Sequence, residues 1–231
     1  MIQMHAVNEN TWIVYLGDEI SESVLARVSR LTESIRASLG DSVLDIIPSY
    51  TSILVSFNLQ KMDRFSMAAG LRRAVEQASS MQWVDAEPDE VVLPVYYGPE
   101  VALDMEHITR SCGMDAAEVI RLHCEQVYRV YAIGFSPGFA YLGNTPEPLR
   151  IARKATPRLK VPAGSLAIAD NQTAIYPAQT PGGWQIIGRT PLQLVDWDSA
   201  TLTRVKVGDR VRFEPIDRDR FIALGGSLNE F

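Results

Sequence analysis

The sequence predicts an α+β chain in two parts: a first part that mixes strands with long helices, and a second built from many short strands as an antiparallel β-barrel. Three observations predict it. Between residues 12 and 97, strand-like runs are interrupted by two long stretches with helical spacing. Beyond residue 126 the apolar runs shorten and turn residues punctuate them, the pattern of a barrel or sandwich. Seven of the fifteen glycines and eight of the thirteen prolines fall between Gly134 and Pro191. That density suits either tight barrel turns or a loop-rich site wall, because glycine permits positive φ and proline fixes φ and removes a donor.

Taken in order, Trp12–Leu16 reads as a strand. Val24, Val28, Leu31 and Ile35 then fall on one face of a helix spanning Ser21–Leu39, with Gly40 as its C-terminal cap. Val43–Ile47, stopped by Pro48, and Ser52–Phe57 form a hairpin. Ala68, Leu71, Val75 and Ala78 mark a second helix over Asp63–Ala78, and Val91–Tyr97 is a strand that Pro94 assigns to an edge or bulge. The order β-α-β-β-α-β is the split βαβ arrangement of ferredoxin-like domains, and we divide the chain into domains at residues 1–90 and 91–231. Two short helices follow, Leu103–Cys112 and a second ending near Glu125, the latter with an Asp115/Glu118 capping box.

The second part reads as strands at Gln126–Gly134, Ser165–Ala169, Thr173–Tyr176, Trp184–Ile187 and Leu192–Trp197. A turn-linked pair over Val205–Phe213 and a last strand in the tail from Arg218 complete it.

Composition excludes several function classes. The net charge is -6, and residues 1–98 hold seven basic against thirteen acidic side chains, while residues 99–231 hold fifteen of each. An acidic chain is a poor nucleic-acid binder. The short helix pair is no DNA reader either, since its second helix offers Arg121 against Asp115, Glu118 and Glu125. No apolar run reaches the length of a membrane span and the first residues lack signal-peptide character. With two cysteines, Cys112 and Cys124, both in helices, the expectation is a cytoplasmic protein with reduced thiols.

Gly134-Phe135-Ser136-Pro137-Gly138 matches the G-x-S-x-G nucleophile elbow in letters. The elbow takes an oxyanion donor from the N–H after the serine, and Pro137 has none. No histidine follows Ser136, since the three are His5, His107 and His123. His123, on the apolar side of its helix, is a hydrogen-bonded packing residue or a catalytic candidate. A P-loop, a G-x-G-x-x-G loop and metal-ligand spacing are all missing, so no metal is expected. What remains is a polar constellation: Arg158, Lys160, Gln172, Tyr176, Gln179 and Arg189, among shaped loops. Arg150, Arg153, Lys154, Arg158 and Lys160 have no acidic neighbour between Glu147 and Asp170. Such a cluster suits an anionic ligand or an acidic patch on a partner, arginine by bidentate pairing and lysine as a point charge.

Three motifs carry a family likeness: Gly134-Phe-Ser-Pro-Gly-Phe-Ala-Tyr-Leu142, Thr156-Pro-Arg-Leu-Lys-Val-Pro-Ala-Gly-Ser165 continuing to Pro177, and Thr180-Pro-Gly-Gly-Trp-Gln-Ile-Ile-Gly-Arg-Thr-Pro191. Together they resemble the B subunit of 5-oxoprolinase, a family that also includes KipI-type histidine-kinase inhibitors and allophanate hydrolase subunit 1-like proteins. The resemblance implies an N-terminal α/β domain followed by a cyclophilin-like β-barrel. It also implies ATP-dependent opening of the 5-oxoproline lactam to L-glutamate together with the A and C subunits of 5-oxoprolinase. ATP is then bound by the complex, not necessarily by this chain. Substrate- or nucleotide-binding candidates are Arg158, Lys160, Gln172, Tyr176, Arg189 and Phe139, and His123 and Lys160 are the catalytic candidates. Inhibition of a sensor histidine kinase, or action on another amide such as allophanate, are the alternatives. Where the family usually has glycines after the Ala167-Ile168-Ala169 strand, this chain has Asp170-Asn171.

Overall fold

The computed structural model describes residues 2–80, 90–199 and 201–228. The chain forms two compact units, residues 1–87 and 88–231.

The first unit runs β1 (Gln3–Asn8), β2 (Thr11–Tyr15), α1 (Glu22–Leu39), β3 (Val43–Ser49), β4 (Ser52–Phe57) and α2 (Arg64–Ser80). Its strands lie in the order β1-β2-β4-β3, each pair antiparallel. Local chemistry sets the helix ends. The Ser21 hydroxyl accepts from the Val24 N–H, and the Asp63 carboxylate accepts from the Phe65 and Ser66 N–H groups. Val24, Val28, Leu31 and Ile35 of α1 pack with Met67, Leu71 and Ala74 of α2 on Val14, Ile53, Val55 and Phe57 of the sheet.

Three expectations change here. The strand at Gln3–Asn8 was not foreseen; a two-residue turn at Glu9-Asn10 folds it back onto β2. It takes the outer place beside β2 that a ferredoxin-like order gives to the strand after the second helix, and that strand instead belongs to the second unit. Pro48 does not stop its strand: Pro48 pairs with Ile53 inside the β3–β4 ladder, and the turn sits at Tyr50-Thr51.

The second unit runs β5 (Glu90–Tyr96), α3 (Met105–Cys112), α4 (Ala116–Glu125), β6 (Tyr128–Ile133), β7 (Ala140–Gly143), β8 (Arg158–Val161), β9 (Ser165–Ala169), β10 (Gln172–Ile175), β11 (Thr180–Gly182), β12 (Gln185–Arg189), β13 (Arg210–Ile216) and α5 (Arg218–Ala223). Seven strands close a barrel in the order β6-β13-β5-β12-β9-β10-β7, with β7 returning to β6. The ladder is antiparallel except for one pair, β5 with β13, which run parallel in unbroken register from Glu90↔Arg210 to Tyr96↔Ile216. β5 is therefore no edge strand, but β12 meets it only at Arg189↔Tyr96, so Pro94 interrupts no pairing on that side. β8 and β11 form a separate two-stranded ribbon.

Two further expectations are corrected. Leu192–Trp197 and Val205–Val207 are not strands; the former contributes one isolated bridge, Val195↔Thr203. The tail forms α5 rather than a last strand, because the Asp217 carboxylate caps it by accepting the Arg220 N–H and Phe221 buries its ring. Residues 229–231 of that tail lie outside the described residues.

The β9 strand shows how the site is placed. All five of its residues are buried, and alternate ones enter different cores. Leu166 and Ile168 join Val130, Leu142, Ile187 and Phe213, while Ala167 and Ala169 join Phe139, Tyr176, Trp184 and Ile186. Period-two alternation makes this possible. The small residues of β9 leave room on the second face for large aromatic rings.

Candidate functional site

The first motif is a hairpin turn. Residues 134–139 join β6 to β7, whose last and first residues, Ile133 and Ala140, are paired. Within it the Phe139 N–H donates to the Ser136 carbonyl at 3.1 Å, with Pro137 next and Gly138 at φ +77°. Proline at the second position and positive φ at the third make a type II turn. The Ser136 hydroxyl is buried without a hydrogen-bond partner among the described residues. It is a turn residue, with no base beside it.

The turn delivers Phe139 into the second core, where it is the hub of an aromatic cluster. Its ring centroid lies 4.9 Å from Tyr141, 5.2 Å from Tyr176 and 5.6 Å from Trp184, all nearly edge-to-face. The exposed ring of Phe135 leans on it at 5.3 Å. Arg153 places its guanidinium 5.6 Å from the centre of the Trp184 ring, a cation–π distance, and lies 3.8 Å from Asp170. The second and third motifs converge here through the β8–β11 ribbon. A side chain at Gly182 would collide with the Tyr176 hydroxyl, so only glycine lets the ribbon lie against that ring. Burial pushes the Tyr176 hydroxyl's pKa up, while a hydrogen bond with the Trp184 backbone and the nearby charges of Arg153 and Arg158 pull it down; the net shift is upward.

Beside the cluster lies an ion group that crosses the fold. Asp104, just before α3, is 4% exposed. Its Oδ1 accepts from Lys154 Nζ at 2.9 Å and from one Arg158 amino group at 2.8 Å. Its Oδ2 accepts from the other Arg158 amino group at 2.8 Å and from the Ile186 N–H at 2.7 Å. The Asp104 N–H in turn donates to the Ile186 carbonyl at 2.9 Å. Burial alone would raise the Asp104 pKa; the Arg158, Lys154 and Ile186 hydrogen bonds outweigh it and hold the carboxyl below its ordinary value.

The candidates of the sequence therefore separate. Arg158 and Tyr176 belong to this region, and Phe139 is its buried hub. Lys160 is exposed on β8, where the pairing with β11 shifts register between Arg158 and Val161. Gln172 is half-buried at the start of β10, and Gln179 is exposed just before β11. Arg189 is buried and donates from one amino group to the Ser227 carbonyl at 2.9 Å, toward the tail. Asp170 sits at φ +51° in the two-residue turn between β9 and β10, a left-handed position that aspartate tolerates in place of glycine. Lys154, though within the basic cluster, was not singled out, and Asp104 was missed altogether. Asp104 lies 50 and 54 residues from its cationic partners, so nothing local marks it.

His123 lies elsewhere, fully buried between Tyr128 and Phe213. Its Nε2 is 3.0 Å from the Thr173 hydroxyl and its Nδ1 is 3.2 Å from the Tyr97 hydroxyl. The Thr173 hydroxyl hydrogen points to the Ala167 carbonyl, so Nε2 must be the donor and Nδ1 the acceptor from Tyr97. A neutral ring completes that chain, and burial pushes its pKa down to about 3. Among the described residues no three His, Cys, Asp or Glu side chains group as metal ligands, and no helix is long and apolar enough to cross a membrane.

The comparisons point one way. The family model described as carboxyltransferase domain, subdomain C and D, matches residues 2–204. A Bacillus subtilis (strain 168) protein named as the B subunit of 5-oxoprolinase is 32% identical over 98% of this chain and 98% of its own. An Escherichia coli O157:H7 protein of the same name is 34% identical over 91% of this chain and 94% of its own. Among solved structures, TTHA0988 superposes with a TM-score of 0.77 at 28% identity, covering 94% of this chain but 40% of that one. The chain thus spans about two fifths of that protein's length.

Proposed function

The chain belongs to the carboxyltransferase subdomain C and D family, among relatives named as the B subunit of 5-oxoprolinase, and from that premise we propose that it is a non-autonomous subunit of an ATP-dependent 5-oxoprolinase. In this reading it opens the 5-oxoproline lactam to L-glutamate together with the A and C subunits. The observation that carries it is end-to-end similarity to two proteins of that name.

The chemistry of the chain is consistent with a supporting rather than a self-sufficient role. A lactam carbonyl is a poor electrophile, and ATP bound by the complex would supply its activation by phosphorylating the amide oxygen. Opening the ring without such help needs an activated nucleophile with a base in reach. Ser136 has no such base, and His123 is enclosed by Tyr97, Thr173, Tyr128 and Phe213. What the chain offers is a cationic surface at Arg153, Lys154 and Arg158 beside the buried aromatic cluster, suited to one anionic group of a small substrate or nucleotide.

The test is to co-express the chain with candidate A and C subunits and to follow glutamate release from 5-oxoproline. ATP-dependent release that requires this chain is the expected result. Full activity of the partners in its absence would refute the proposal.

A further inference from the structure

The ion group at Asp104 is unbalanced. Two cations meet one carboxylate, and among the described residues Asp104 is the only acid within ion-pair distance of either Lys154 or Arg158. Arg158 faces Asp104 with both amino groups, one to each oxygen. That bidentate pair neutralises the arginine. Lys154 adds a second positive charge to a carboxylate that is already matched. Its ammonium has three donor hydrogens and gives one of them to Asp104 Oδ1. Lys154 and Arg158 are 27% and 24% exposed, so solvent or a ligand reaches them while Asp104 stays covered at 4%. The backbone fixes the lysine as well, since its N–H donates to the Gly183 carbonyl at 2.7 Å, next to Gly182 and the Tyr176 hydroxyl.

We propose that Lys154, steadied by the Asp104–Arg158 pair, is the seat for one anionic group of the ligand, a carboxylate or a phosphate. The motif reading places that role on Arg158 and Lys160. Geometry moves it, because Arg158's charge is already met and Lys160 stands exposed without the buried carboxylate that fixes Lys154. The net charge of the group, one positive, then decides whether an anion binds. Losing Lys154 brings it to zero and losing the Asp104 charge brings it to two. This deepens the oxoprolinase reading by naming the residue that meets the substrate's or nucleotide's anion, yet it rests on charge and position alone.

The experiment is a titration of the isotope-labelled full chain with 5-oxoproline, inorganic phosphate and ATP in separate arms. It follows the Ile186 amide, whose N–H donates to the Asp104 carboxylate and so reports on the group. The wild-type chain should bind in at least one arm. A response to 5-oxoproline alone identifies the carboxylate of the substrate, and a response to phosphate and ATP identifies the nucleotide. Lys154→Met should weaken that binding about tenfold or more, the equivalent of one charge-assisted hydrogen bond. Lys154→Arg should retain it. Absence of binding in every arm, or wild-type affinity in Lys154→Met, would each overturn the proposal. The two readings fail separately: a complex that releases no glutamate while Lys154→Met loses anion binding removes the oxoprolinase reading and keeps the seat.

Discussion

Acid should weaken this fold through His123 well before its carboxylates protonate. The imidazole is fully buried, its Nε2 donates to Thr173 and its Nδ1 accepts from Tyr97, and burial lowers its pKa to about 3. An unfolded histidine titrates near pH 6.5. Between those values the unfolded chain binds a proton that the folded chain refuses, so stability is complete above about pH 6.5 and declines as pH falls. The slope approaches about 1.4 kcal/mol per pH unit, which makes the loss between pH 7 and pH 5 about 2 kcal/mol. The other two histidines, His5 and His107, are exposed. Urea unfolding at pH 7, 6 and 5 measures the loss, and His123→Gln, which keeps a donor and an acceptor without a titrating ring, should flatten it. Equal stability at pH 7 and pH 5, or an undiminished slope in His123→Gln, would refute the reasoning.

The other expectations concern the turn and the cluster it feeds. Phe139→Ala should cost about 3–5 kcal/mol in urea unfolding, because it removes the ring against which Tyr141, Tyr176 and Trp184 pack. Gly138→Ala meets both a positive φ and the Val195 side chain, and should lower stability by about 1–3 kcal/mol by the same measurement. Ser136→Ala should leave both stability and the glutamate-release activity of the assembled complex unchanged, since the hydroxyl is buried without a partner among the described residues. A loss of activity of a hundredfold or more in that variant would restore Ser136 as a reacting group.

The parts of this chain legible in the sequence are those whose causes are local. The helix over Glu22–Leu39 shows its apolar spacing and its Gly40 stop within one stretch. The rejection of Ser136 as a nucleophile needed only Pro137 and the absence of a later histidine. The strand Gln3–Asn8 escaped notice because its residues are largely exposed and show little alternation; its partner β2 holds it. Leu192–Trp197 failed in the opposite direction, having the apolar content of a strand but only one bridge to pair with. At the candidate site, the basic cluster was visible as an imbalance of charge along the sequence. Which member carries the surplus was not, because Asp104 reaches Arg158 and Lys154 across 50 positions or more and is itself held by Ile186 of β12.

The parallel pairing of β5 with β13 has a consequence for how the protein is made. Seven consecutive partners, from Glu90↔Arg210 to Tyr96↔Ile216, join segments 120 residues apart. At a synthesis rate of about 5–20 residues per second, β5 waits roughly 6–24 seconds for its neighbour to be translated. Throughout that interval Leu93 and Val95, both enclosed in the finished protein, lack one wall of their core. Long-range pairing of this kind also carries the loop-closure entropy that slows folding. Nascent chains halted before Arg210 should therefore recruit chaperones through the β5 segment, and release of the final strand is the event that shuts the barrel.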